Sequence, residues 1–146
     1  MSDLIRAARL EDLNSILELL YQLSPLKEGV VADKDKVKWI LIDIINDKNY
    51  HLCVFEDEGK VLGTALLLIQ MNLSHGGRSY AHIENVVVDK EYRGKGAGRK
   101  MMDYLIEKGK EFDCYKILLN CSKDNIPFYE GCRFFDSGEI EMRLIN

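Results

Sequence analysis

The sequence predicts one mixed domain of the α/β (α+β) class, and three features carry that prediction. Apolar residues recur at helical spacing between Leu10 and Leu23, which is typical of an amphipathic helix. From His51 onward the apolar period becomes that of strands. A glycine-containing segment, Gly94–Gly98, then separates an apolar strand from another helical pattern. This alternation is typical of a mixed sheet covered by helices, and 146 residues fit a single domain spanning residues 1–146.

The first half of the chain is predicted to hold a strand, two helices and a hairpin. Leu4–Ala8 is a short strand, and the helix after it ends near Pro25, because proline cannot continue a helix. A second helix covers about Asp35–Ile45, whose apolar residues share one face. The segment His51–Gln70 contains two apolar runs joined by Asp57–Lys60, which predicts a β-hairpin.

The second half is predicted to alternate between strands and helices. Tyr80–Val88 is apolar enough at its end to be a central strand. A helix over about Arg99–Phe112, a strand at Lys116–Asn120 and a short helix at Asn125–Gly131 follow. Strand material in Phe134–Ile145 is expected to close the sheet. The predicted order is therefore β-α-α-β-β-β-α-β-α-β.

Composition and charge exclude several classes of partner. A formal net charge of −4 argues against nucleic-acid binding. No apolar run approaches the roughly 20 residues of a membrane helix, and the N-terminus lacks the apolar core of a secretion signal. The four cysteines form no C-x-x-C pair, and the three histidines lack zinc-finger spacing. We therefore expect a cytoplasmic protein with reduced thiols, no bound metal and no membrane partner.

The segment Arg93–Gly98 is a candidate anion site because of where it lies. It follows a predicted strand and opens a predicted helix, so backbone N–H groups and the helix start can converge on one point. A pyrophosphate suits such a nest. The spacing fits neither a P-loop nor the G-x-G-x-x-G dinucleotide motif. On the loop alone, a basic turn in water is an equal alternative.

The wider context resembles the GNAT N-acetyltransferase family. Glu91–Gly98 fits the R/Q-x-x-G-x-G/A acetyl-CoA motif, the apolar Val86–Val88 precedes it, and Asn125–Glu130 matches an N-x-x-F-Y-E element. The resemblance covers about Leu4 to the C-terminus. It implies a GNAT fold, with a mixed central sheet of six to seven strands flanked by about four helices. It also implies acetyl-CoA as co-substrate without a metal, a small-molecule amine as acceptor, and a homodimer.

The same resemblance assigns residues to the donor site. The expected acetyl-CoA contacts are Val86, Val87, Val88, Arg93, Gly94, Lys95, Gly96, Ala97, Gly98, Arg99, Asn125 and Tyr129. Backbone groups of Val86 and Val88 are expected to pair with the pantetheine arm as an added strand would. Family members often have a β-bulge here, which turns these groups outward. Asn125 is expected to bond the pantetheine arm or to cap the short helix.

Two catalytic residues and four acceptor contacts are also implied. Glu84 is expected to take the proton of the attacking amine or to hold a water that does so, and Tyr129 to donate to the departing thiolate. The alternatives without a catalytic role are a solvent-facing strand glutamate and a core tyrosine. The expected acceptor contacts are His82, Glu84, Asn85 and Asn120. For His82, a half-buried strand residue is the alternative.

Within the family, the second half most resembles members that acetylate an amino sugar phosphate such as glucosamine 6-phosphate, which makes this the leading acceptor. The chain departs from them at four places. Asn85 and Asn120 stand where they have Asp, Arg133 stands where they have Gly, and Arg143 is displaced from an arginine that helps hold the sugar phosphate. Another amine class (a polyamine, an aminoalkyl compound or a protein N-terminus) and a non-catalytic acyl-CoA-binding module therefore remain as alternatives.

Overall fold

The central sheet is mixed, as predicted, and its strands follow one another in chain order. The structure, a computed structural model, describes residues 3–146. Within that range the strands are β1 (Leu4–Ala7), β2 (Tyr50–Asp57), β3 (Lys60–Gln70), β4 (Tyr80–Val88) and β5 (Ile117–Leu118). Neighbours from β1 to β4 pair antiparallel, and β5 pairs parallel with β4. The central position predicted for Tyr80–Val88 is confirmed.

The described residues form four α-helices close to the predicted positions. They are α1 (Leu13–Leu23), α2 (Lys34–Asn46), α3 (Ala97–Glu111) and α4 (Ile126–Gly131). A short 3-10 turn precedes α1, and the Asp33 carboxylate caps α2 by accepting from the Lys36 N–H at 3.0 Å. In the part of the chain that the structure describes, every helix is too short or too polar to cross a bilayer.

Helices cover both faces of the sheet. Met101 and Leu105 of α3 are completely buried and belong to one apolar cluster with Leu67 of β3. On the opposite face, Ile16 of α1 packs with Val54 of β2 in a second cluster. The two clusters follow from the two-residue alternation of the strands, which sends successive side chains to opposite faces.

The hairpin between β2 and β3 forms as predicted. Asp57 pairs with Lys60, and the two turn residues, Glu58 and Gly59, have φ angles of 51° and 74°. Two successive left-handed residues are typical of a type I′ turn, whose twist matches that of the flanking strands. The hairpin loop therefore consists of Glu58 and Gly59, within the Asp57–Lys60 segment predicted from the sequence.

The strand predicted in Phe134–Ile145 does not form, so the described residues contain five strands and not six to seven. The predicted strand at Lys116–Asn120 is also reduced to Ile117–Leu118. A strand needs a hydrogen-bonding partner, and so short an edge strand offers little ladder to a following segment. The tail keeps a strand-like apolar pattern, but its side chains face outward: Ile140, Met142 and Leu144 are 84, 90 and 86% exposed.

Candidate active site

The sheet opens between β4 and β5, and this opening defines the candidate site. Parallel pairing covers only Ala81 with Ile117 and His82 with Leu118. β4 continues to Val88 after that pairing ends. Its edge beyond His82 therefore faces a gap in which an extended ligand can add to the sheet.

A β-bulge lies in β4 at the mouth of this gap. Leu66 pairs with Glu84 and Thr64 pairs with Val87, so Ala65 alone stands opposite two residues of β4. One of these two residues is Asn85, whose φ of 55° lies in the left-handed region. The bulge that the resemblance implies is therefore present.

The bulge also changes which side chains of β4 face α3. Before it, the odd-numbered Ala81 and Ile83 are buried in the cluster beneath α3. After it, the even-numbered Val86 and Val88 pack against that same cluster. One inserted residue reverses the alternation, because the side-chain period of a strand is two.

The glycine loop after β4 forms an anion nest at the start of α3. Gly94 and Gly96 have φ angles of 79° and 86°, which favour glycine. Gly96 is the N-cap, and the Lys100 N–H donates to its carbonyl at 3.1 Å. The N–H groups of the first turn have no partner within the helix, and a glycine N-cap has no side chain to accept from them. They are free to bind an anion at the positive end of the helix dipole.

Positive side chains surround the nest. The exposed cations are Arg93, Lys95, Arg99 and Lys100. The Arg93 guanidinium donates to the Val88 carbonyl at 3.3 Å, which holds it beside the end of β4. Arg99 lies 3.5 Å from Asp103 one turn later on α3. The nest therefore lies in a locally basic surface on an otherwise acidic chain.

Two long-range contacts hold the segment that leads into the nest. The Tyr92 hydroxyl donates to the Asp57 carboxylate at 2.6 Å, and this contact raises the pKa of Tyr92 to about 12. The Lys95 ammonium lies 4.5 Å from the Tyr92 ring centroid. On the other side, the Gln22 carboxamide accepts from the backbone N–H of Lys90 at 3.0 Å. Sequence reasoning missed both anchors, because their partners are 35 and 68 residues away in the chain.

Gly98 has a packing role that the motif does not predict. A Cβ atom there would lie 3.1 Å from Cζ of Phe128. The absence of a side chain therefore lets α4 approach the first turn of α3. The Phe128 ring in turn contacts Tyr129, with centroids 4.9 Å apart. Gly98 thus helps to place Tyr129 as well as lying in the nest.

Tyr129 lines a cleft of about 870 Å³ between β5, α4 and the tail. Burial raises the pKa of its phenol, so the hydroxyl remains protonated at neutral pH and can donate. Asn125 is exposed at the start of α4, where its side chain makes no capping hydrogen bond. Asn125 therefore occupies the N-cap position of α4, as predicted, but its side chain does not cap the helix.

The predicted acceptor residues lie on β4 and on the extension of β5. Glu84 and Asn85 are exposed, and a ring nitrogen of His82 lies 2.9 Å from the side-chain oxygen of Gln70. Because the strands run parallel, Asn120 follows Leu118 as Glu84 follows His82. Glu84 and Asn120 each lie two residues beyond the last parallel pair, His82 with Leu118.

The tail adds a carboxylate that the sequence did not predict. The Asn120 amide donates to Glu141 at 2.8 Å, and Glu141 also pairs with Arg143. All three residues line the cleft. The tail therefore places a carboxylate beside the Asn120 amide.

Two further features limit the chemistry of the described residues. No group of three or more histidine, cysteine or acidic side chains among residues 3–146 is arranged to hold a metal ion. The four cysteines are unpaired: Cys53 and Cys132 are buried, Cys114 is half-buried and Cys121 is exposed. The candidate site thus combines an anion nest, an open strand edge, a carboxylate and a neutral phenol.

Comparison with known proteins gives the family. The model of the Acetyltransferase (GNAT) family matches residues 11–134. A glucosamine 6-phosphate N-acetyltransferase of Trypanosoma brucei brucei is 36% identical over 146 residues, covering 96% of this chain and 93% of that protein.

Solved structures agree with the family model. The crystal structure of a Trypanosoma brucei acetyltransferase has a TM-score of 0.86 at 34% identity, with 99% of both chains covered. The structure of glucosamine-6-phosphate N-acetyltransferase from Arabidopsis thaliana has a TM-score of 0.85 at 32% identity, again with 99% of both chains covered. A family match over most of the chain, together with these full-length likenesses, shows that the chain belongs to the GNAT family of acetyltransferases.

Proposed function

We propose that this chain transfers an acetyl group from acetyl-CoA directly to the primary amine of a small molecule, within one domain spanning residues 1–146. The observation that carries the proposal is the anion nest at the start of α3, placed directly after the open edge of β4. An amino sugar phosphate, with glucosamine 6-phosphate as the leading candidate, is the favoured acceptor, because the relatives compared above include enzymes named for that substrate.

The donor fits the residues present. Backbone N–H groups at Gly94–Arg99 bind the pyrophosphate, and Arg93 and Lys95 add positive charge. Backbone groups of Val86 and Val88 pair with the pantetheine arm along the free edge of β4, with Val87 between them. The exposed Asn125 side chain bonds the same arm. Bound acetyl-CoA supplies the acyl group already activated as a thioester.

Glu84 accepts one proton from the acceptor ammonium, and Tyr129 donates one proton to the departing sulfur. An ammonium must become a neutral amine before its nitrogen can form the new bond to the acetyl carbon, and the Glu84 carboxylate takes that proton directly or through a water. The C–S bond then breaks, and the neutral Tyr129 phenol donates its proton to the sulfur. The nitrogen that has formed the new C–N bond loses its second proton to solvent, and the proton held by Glu84 also returns to solvent. The phenol is reprotonated from solvent, so one proton is released overall.

A panel of amines tests this function. The protein is incubated with acetyl-CoA and, separately, with glucosamine 6-phosphate, glucosamine, spermidine, an aminoalkylphosphonate and an N-terminal peptide, and release of free CoA thiol is measured. We expect the highest kcat/KM with glucosamine 6-phosphate and a large loss with glucosamine. Faster turnover of another amine would reassign the acceptor. Binding of CoA by calorimetry without turnover of any amine would support an acyl-CoA-binding module instead.

Replacing Tyr92 by Phe is expected to raise the KM for acetyl-CoA severalfold while kcat changes little. The substitution removes the hydroxyl that bonds Asp57 and leaves the ring beneath Lys95 in place, so it loosens the nest without touching Glu84 or Tyr129. Steady-state kinetics at saturating acceptor measure the effect. Tyr104→Phe, which removes a hydroxyl from the middle of α3, is the matched control. An unchanged KM in Tyr92→Phe would show that the anchor does not organise the donor site.

The acceptor is held by residues on both sides of the opening. His82 and Glu84 approach it from β4, and Asn120 approaches it from the segment that follows β5. Glu141 accepts from the Asn120 amide and pairs with Arg143, so the tail brings an ion pair to that side. The Arg143 guanidinium has further N–H donors that a phosphate can bind.

A homodimer in the cytoplasm is the favoured state. The exposed apolar residues of the tail, Ile140, Met142 and Leu144, alternate as in a strand and lie beside the open cleft. A second copy can cover them, and four unpaired cysteines suit a reducing compartment. Light scattering on the full chain and on Met142→Lys tests the assembly. A wild-type mass equal to one chain would refute it.

A further inference from the structure

We infer that Asn85 is a positioning residue, whose identity is set by the left-handed backbone of the β4 bulge and not by a contact with the acceptor. Its φ of 55° places it among the few non-glycine residues of the chain with positive φ. Asn tolerates this region better than other residues with a Cβ atom, because its short polar side chain can bond locally. The inference rests on the proposed donor site.

The bulge at Asn85 determines which face of the sheet each neighbouring side chain occupies. Glu84, immediately before, still pairs with Leu66 and is exposed. Val87, two residues after, pairs with Thr64. If β4 were regular, the residues after Asn85 would exchange faces, and Val86 and Val88 would leave the cluster beneath α3. One left-handed residue therefore fixes both the proposed base and the strand edge proposed for pantetheine.

The backbone conformation restricts which residues suit position 85. A residue that only contacts the acceptor can have any backbone conformation that its strand provides. Asn85 occupies the left-handed conformation, which a residue such as Ala adopts roughly five- to thirtyfold less readily than the right-handed one. Asn and Asp both tolerate this conformation, so the backbone at position 85 accounts for a short polar side chain there.

Glycine and alanine substitutions separate the two roles. In a regular strand Gly destabilises more than Ala, whereas in the left-handed region the order is reversed. We expect Asn85→Gly to unfold at a higher temperature than Asn85→Ala. At His82, on the regular part of the same strand, we expect His82→Ala to unfold at a higher temperature than His82→Gly. The same order at both positions would refute the conformational role.

Binding of CoA, measured by calorimetry, tests the positioning role without requiring turnover. Asn85→Gly should bind CoA within about twofold of the parent chain, and Asn85→Ala about fivefold more weakly, because binding must first restore the left-handed residue. The acceptor KM of Asn85→Gly should stay near that of the parent. Equal CoA affinities for Gly and Ala, with both raising the acceptor KM alike, would overturn the inference and make the side chain an acceptor contact. Failure of the parent chain to bind CoA would refute the donor site, while the unfolding order would still test the bulge.

Discussion

Replacing Glu84 by Gln is expected to lower kcat by about 100-fold or more, which is the usual contribution of a positioned acid or base. Gln keeps the shape of the side chain but cannot accept the ammonium proton. The KM for acetyl-CoA should change little, because Glu84 lies before the bulge and outside the anion nest. Steady-state kinetics on both substrates measure the two effects separately.

The pH dependence of this variant identifies the role of the carboxylate. At higher pH a larger fraction of the acceptor amine is already neutral, so the deficit of Glu84→Gln should shrink as pH rises. Glu91→Gln is the matched control, because Glu91 is also exposed and lies just beyond the end of β4. A deficit that is independent of pH would indicate a binding role for Glu84. Activity within about twofold of the parent chain would remove it from the mechanism.

Local signals were enough to predict most elements of this fold. The helices have apolar spacing on one face, and the hairpin has two apolar runs around Glu58 and Gly59, which suit its turn. The tail shows the limit of such signals. Its alternation predicts a strand, but a strand forms only against a partner, and within the described residues this chain offers none beyond Leu118. β-Propensity describes a surface that fits a sheet and does not supply the neighbouring strand.

The candidate site also contains some features that local sequence signals predict and others that they do not. The glycine loop was predictable because its conformation depends on the glycines themselves and on the helix that follows. The bulge was implied by the resemblance to the family but not by the residue pattern, because Val86-Val87-Val88 is apolar at every position and hides the change in alternation. The anchors at Gln22 and Asp57 and the contact of Glu141 join residues far apart in the chain, which a single sequence does not reveal.

Replacing Asp12 by Ala is expected to lower the free energy of unfolding by about 3 kcal/mol, although Asp12 lies outside the site. Its carboxylate receives two hydrogen bonds from Arg6, at 2.7 and 2.9 Å, and one from the Arg9 N–H at 2.7 Å. The side chains of Asp12 and Arg6 are only 6 and 13% exposed. Removing Asp12 leaves the guanidinium with Glu56 as its remaining acidic partner, at 2.9 Å. Urea unfolding followed by circular dichroism measures the loss.

An exposed ion pair provides the comparison for this effect. Arg99 and Asp103 are 51 and 55% exposed, so Asp103→Ala should change stability by less than about 1 kcal/mol. The difference between the two variants measures what burial contributes together with the additional hydrogen bonds of Asp12, because each variant removes one aspartate from an arginine. Losses of equal size would show that neither burial nor these hydrogen bonds have an energetic consequence.

The acid sensitivity of the fold should depend on the same carboxylate. Hydrogen bonds from Arg6 hold the pKa of Asp12 below its usual value of 3.8, against the opposing effect of burial. A group whose pKa is lower in the folded state stabilises the fold above its unfolded pKa, and this contribution is lost as pH falls through the folded pKa. The advantage of the parent chain over Asp12→Asn should therefore be constant from pH 7 to about pH 5 and shrink below about pH 4. Urea unfolding of both proteins across this range checks the expectation, and an advantage that persists undiminished at pH 3 would mean that Asp12 stabilises the fold through its shape and not through its charge.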